Sequence, residues 1–289
     1  MTSKLQLSLT LLLLLVFNLT QSQEKRAFSL YTQKGEKISY DTMLDSLSKT
    51  NVVLFGEFHN NPISHWLQFE VVSDLKTSKT NLAIGAEMFE TDTQSVLNLY
   101  LKDSLTEPKF KKEARVWSNY STDYKPLVEL AKRDSIPYIA TNIPRPYATR
   151  VYKNGGFSAL DSLPKNELKW VAPLPIPFDI NLSSYQNMLD MMGGHGGEDL
   201  VKAQAIKDAT MAHFILENLK PNQVFVHLNG SYHSNSFEGI YWYLKTYREN
   251  LNILTLTTVE QKNVHQLKEE HKGVANFIIV VDENMTKTY

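Results

Sequence analysis

Cysteine is absent from all 289 residues. No disulfide can brace the fold, so stability must come from an apolar core, which a chain of this length can build. The same absence removes thiolate zinc sites, thiolate-ligated haem and any lipid carried on a cysteine. His, Asp, Glu and Tyr are left as metal ligands. An excess of either charge is also missing: 30 Lys and Arg stand against 31 Asp and Glu, interspersed. That balance argues against nucleic acid as a partner and for a small molecule or another protein.

Long apolar runs are missing apart from one at the start. Lys4 gives a short positive beginning, and Leu5 to Leu19 is rich in Leu and Val. Thr20-Gln21-Ser22 then places small residues where a signal peptidase reads them. The run is shorter than the roughly 20 residues that cross a bilayer, and Asn18 and Thr20 interrupt its end. Residues 1–22 are therefore expected to be a secretory signal peptide. Residues 23–289 are expected to form one exported domain with no stable membrane span after cleavage.

Short continuous apolar runs follow at Asn51–Phe55, Leu82–Ala86, Ile136–Ala140, Gln223–Leu228, Leu251–Leu256 and Asn276–Val281. Runs of this kind suit strands buried on both faces. Helical spacing lies between them: Ile63, Trp66, Leu67, Val71 and Leu75; Val96, Leu97 and Tyr100; Tyr124 to Lys132; Leu182 to Met192; Glu198 to Leu219; and Phe237 to Tyr247. The alternation predicts an α/β fold, a central mostly parallel sheet flanked by helices. The proline-dense stretch VAPLPIPF reads as an ordered loop. Residues 155–200 are expected to form a small helical insertion.

Polar residues stand at the ends of four of these strands. Glu57 and His59 follow the first, Glu87 the second, Asn142 and Arg145 the third, Asn229 and His233 the fourth. Ligands of open α/β sheets bind outside the carboxyl ends of the strands, so these residues are expected to share a site. Two motifs repeat there, Gly56-x-x-His59 and Gly230-x-x-His233, and the glycines are expected to allow a sharp exit from each strand. His65 is a further ligand, a supporting contact or a structural histidine. Asp208 falls on the apolar stripe Val201, Ala205, Ala212, Ile215, Leu219, and a buried carboxylate needs a partner. His227 is expected to be packed inside its strand, and His213, His265 and His271 to lie on the surface.

The segments GEFHNNPISHWLQ, EMFETDTQSVLNLYL, WSNYSTDYKPLVELA, ATNIPRP and HLNGSYHS, in this order and spacing, resemble the ChaN-like haem-binding uptake family of the Tiki/erythromycin-esterase-like superfamily. The likeness spans nearly the whole mature chain and implies a periplasmic or extracellular location. Two functional expectations come from it. The first is haem binding for haem or iron acquisition, in a homodimer, with Tyr185 or His195 as ligand; the alternatives are a packing residue at Tyr185 and a flexible surface loop at His195. Met188, Met191 and Met192 would offer soft contacts beside them. The missing cysteine means that the lipid anchor of ChaN lipoproteins does not carry over.

The second expectation is a metal-dependent hydrolase, peptidase or esterase. His59, Glu87 and His233 would hold a divalent ion, with Glu57 as base and Arg145 or Asn229 on the substrate. A vestigial hydrogen-bonded core is the bland alternative.

Overall fold

The computed structural model describes residues 25–78, 81–191 and 197–289. Residues 1–22 and His195 lie outside the described residues.

Eight strands form one sheet: β1 (Phe28–Thr32), β2 (Lys37–Ile38), β3 (Val52–Glu57), β4 (Leu82–Glu90), β5 (Tyr138–Asn142), β6 (Val224–Gly230), β7 (Ile253–Gln261) and β8 (Phe277–Asp282). Their spatial order is β2-β1-β8-β7-β3-β6-β4-β5. All neighbours from β8 to β5 are parallel, whereas β1 runs antiparallel to both β8 and β2. The expected mostly parallel α/β architecture is what the chain adopts.

Alternation along each strand explains the layering. Val53 and Phe55 enter one core, together with α1 (Tyr40–Ser48), α2 (Pro62–Ser78), α3 (Gln94–Leu101), α4 (Glu107–Glu113) and α5 (Lys125–Asp134). Val52 and Leu54 enter the opposite core, with α6 (Arg145–Lys153), α7 (Ser183–Met191), α8 (Gly197–Asn218) and α9 (Ile240–Tyr247). Both faces of the central strands are covered, which is why they read as unbroken apolar runs. Among the described residues no helix is long and apolar enough to cross a membrane.

The described residues of the segment 155–200 share their core with the main sheet. Leu160, Val171, Ile176 and Tyr185 pack in the same cluster as Val52, Leu54 and Phe225. Trp66 departs from its expected place on the buried stripe of α2: it is 48% exposed, while Leu67, Val71 and Leu75 are buried.

Two features position the site. Strands β3 and β4 are consecutive in the chain, but β6 lies between them, so their outgoing loops leave on either side of the end of β6. The strands also run past their apolar stretches. Gly56 and Glu57 still pair with Asn229 and Gly230, and Glu87 sits inside β4, where pairing with β5 shifts register between Ala86 and Glu90. Such a shift re-aims side chains.

Candidate functional site

Glu57, His59, Glu87, His233 and Asp208 converge around Gly230, at the carboxyl edge of β3, β6 and β4. Glu57 ends β3 almost fully buried, and side chains hold its carboxylate. Tyr124 donates its hydroxyl to Oε1 at 2.7 Å, and Gln68 donates its amide to Oε2 at 2.5 Å. His59 Nδ1 lies 2.9 Å from Oε1. A carboxylate on Nδ1 fixes both tautomer and ring orientation, and leaves Nε2 turned toward Gly230.

The His59 side chain is 35% exposed, with the edge of Trp117 against it at 4.9 Å. Burial disfavours a charge on this ring, but the Glu57 hydrogen bond and the fields of Glu87 and Glu57 outweigh burial and hold its pKa above the ordinary value. The backbone of His59 is held as firmly. Its carbonyl accepts from Asn119 Nδ2 at 2.9 Å and from His65 Nε2 at 3.1 Å. His65 is therefore a buried support for His59 and Glu57, its Nδ1 lying 3.3 Å from Gln68 Oε1 and 3.5 Å from Glu57 Oε2.

The second imidazole is in a different state. His233 is buried between two carboxylates, with Asp208 Oδ1 2.5 Å from Nδ1 and Glu87 Oε1 3.2 Å from Nε2. The Gln204 amide also lies against the ring. Burial alone would neutralise the imidazole, yet Glu87 and Asp208 together push its pKa up to about 10. It is an imidazolium at neutral pH. Burial likewise opposes a charge on Glu87, but His233, His59 and the Gly230 N–H, which donates to Oε2 at 2.7 Å, hold this carboxyl far below the usual range. Asp208 is shifted upward: burial raises it first, and the charge of Glu87 adds to that against the pull of His233.

The remaining expected residues divide between support and distance. Asn142 donates to the Glu87 carbonyl at 3.0 Å. Asn229 is fully buried and braces the end of β6, donating to the Gly230 carbonyl and to Ser234, while its Oδ1 lies 3.1 Å from His227 Nδ1. It is a structural residue and faces no cleft. Arg145 opens α6 beyond the end of β5, exposed and with no ion pair among the described residues. His227 is buried as expected, bonded to Thr141, and burial lowers its pKa to about 4.

Among the described residues, neither Tyr185 nor the trio His59, Glu87 and His233 stands open to a metal or haem iron. Tyr185 is 1% exposed, stacked on Phe178, and burial followed by the field of Asp208 drives its phenol well above the ordinary value. A haem iron needs an open, ionisable phenol; this one is closed and protonated. His59, Glu87 and His233 do not converge as a metal triad either, because both nitrogens of His233 face carboxylates. Among the described residues no group of three His, Asp or Glu side chains is arranged to hold a metal ion.

Gln68, Trp117, Asn119, Asp123 and Tyr124 join the site without having been singled out by the sequence pattern. The signal for Gln68 was available: it lies one turn beyond His65 on the buried face of α2.

The fold and the site together define an α/β protein with two carboxylate-backed imidazoles at the carboxyl edge of a parallel sheet. Residues 43–244 match the model of the family described as haem-binding uptake, Tiki superfamily, ChaN. The chain belongs to that family. Its fold is similar to that of ChaN of Campylobacter jejuni, a structure concerned with cofacial haem binding, at TM-score 0.67 and 17% identity over 90% of this chain and 99% of that one. It also resembles a Bacillus cereus protein (TM-score 0.51, 10% identity, 88% and 94% covered). A succinoglycan biosynthesis protein is similar as well (TM-score 0.50, 11% identity, 89% and 94% covered). No protein of curated function matches the sequence.

Proposed function

We propose that the protein binds haem as cargo at the carboxyl edge of its sheet, and serves haem or iron acquisition outside the cytoplasm. Family membership across residues 43–244 is the observation that carries this reading. The chemistry of the site is compatible with it. His59 is a part-exposed imidazole whose Nδ1 is held by a carboxylate, the arrangement that orients a metal-binding histidine and raises its basicity. The exposed Arg145 guanidinium suits a propionate. Export rests on the leader-like residues 1–22. The cofacial arrangement described for the Campylobacter jejuni protein suggests a homodimer as the working unit.

Spectral titration of the mature protein with ferric haem tests this. A saturable Soret shift is expected, lost in His59→Ala and retained in Tyr185→Phe. No saturable shift in the wild type would end the reading. Loss in His195→Ala with retention in His59→Ala would move the ligand to His195.

One observation favours a second reading, hydrolysis: His59 and His233 flank Gly230, each backed by carboxylates. Water against His59 Nε2 would pass a proton to the ring and attack an ester or amide carbonyl. The proton would then go to the leaving group, with Glu57 stabilising the transient imidazolium. Hydrolysis of an ester or peptide panel that disappears in Glu57→Gln would support this reading, and an inactive wild type would exclude it for those substrates.

A further inference from the structure

We propose that a groove between α2 and α5 binds a small organic cation, an ammonium carried on an aromatic or aliphatic body. The groove measures about 480 Å³, and Trp66, Phe69, Pro126 and Leu127 form its apolar walls. Trp66 is the largest exposed apolar surface on α2, and its indole packs T-shaped on Phe28, with ring centroids 5.9 Å apart. An indole fixed in this way presents a π face at little entropic cost, and cations are attracted to such faces.

The polar groups of the groove select the sign of the charge. Glu70 and Asp123 both line it, with His65 Nε2 3.6 Å from Asp123, and no lysine or arginine does so among the described residues. Glu70 is half-buried and takes part in no hydrogen bond or ion pair among the described residues. Asp123 is buried, accepting from Asn119 at 2.7 Å and from the Thr288 hydroxyl at 2.8 Å. Two carboxylates beside aromatic walls attract an ammonium and repel an acid, so this groove does not suit the propionates of a haem. Asn119 also donates to the His59 carbonyl, so an occupant drawing on Asp123 touches the support of the main site. The proposal does not depend on haem binding.

Ligand-observed NMR titration of the mature chain tests it with three probes of one shape: phenethylammonium, 2-phenylethanol and 3-phenylpropanoate. The ammonium should bind saturably, the alcohol about fivefold more weakly, and the carboxylate more weakly still. Trp66→Ala and Glu70→Gln should each weaken ammonium binding about threefold or more, with melting temperature and haem titration unchanged. Glu70→Gln removes only charge and so guards against a folding artefact. Equal binding of alcohol and ammonium, a preference for the carboxylate, or ammonium binding unaffected by either variant would overturn the proposal.

Discussion

A β-carbon on Gly230 would stand 2.9 Å from both Cε1 and Nε2 of His59. The imidazole lies directly on the backbone of β6. Sequence reasoning assigned this glycine to a sharp strand exit, but its φ of -55° is one that any residue adopts. It serves close approach. Gly230→Ala is expected to displace the ring from Glu57, cost about 1–3 kcal/mol through overpacking and weaken haem binding. Thermal melting and Soret titration of the same preparation would show both effects.

Removing His233 exposes the cost of its two carboxylates. In His233→Ala, Glu87 and Asp208 stay buried without their shared cation, a loss of about 3–5 kcal/mol. Calorimetry should show a lower Tm at neutral pH, partly recovered in mild acid as Asp208 takes up a proton.

The wild type should weaken in alkali for a related reason. His233 titrates at about 10 in the folded chain against 6.5 as the ordinary value, so the native state binds the extra proton. Its contribution is complete below pH 6.5 and is lost as pH rises through 10. Urea midpoints should fall across that window in the wild type and change less in His233→Ala.

His227 acts in the opposite direction. Its folded pKa of about 4 lies below the ordinary 6.5, so the unfolded chain binds the proton first. Stability should fall between pH 6.5 and 4, by on the order of a few kcal/mol. His227→Gln should flatten the acid slope of the urea midpoint.

Haem binding through His59 should also fall in acid, because a protonated ring cannot ligate iron. Because the Glu57 hydrogen bond and the fields of Glu87 and Glu57 hold its pKa above the ordinary value, the loss in acid should begin at higher pH than for an unshifted histidine, as read by haem affinity against pH. A titration independent of pH down to 5 would remove His59 as the ligand.

The strands of this fold were legible because β3, β4 and β6 are buried on both faces and carry no polar interruption until their ends, apart from His227 inside β6. Glu57, Glu87 and His233 were legible for the same reason, as the polar residues that close those runs. What escaped had weaker signatures. β1 and β2 lie at the edge of the sheet, α4 is a seven-residue helix with Phe110 as its buried side chain, and α6 begins at Arg145-Pro146, which reads as loop. Tyr124 and Asn119 reach Glu57 and His59 only because a π-helical turn at Tyr120–Tyr124 and α5 fold over α2, an arrangement that no local spacing encodes. Tyr185 reads from sequence as either a ligand or a packing residue, and it is the second, because burial of one phenol depends on how α7 meets α8 and α9.

The pairing of β1 with β8 bears on how the chain matures. Phe28 sits opposite Val281, so an early strand finds its partner only when the last strand has been made. Contacts of such sequence separation close slowly. A ribosome-bound chain would therefore have only the short β2 beside its first strand throughout elongation, with the β8 side open. That delay makes closure of this side of the sheet a post-synthetic event.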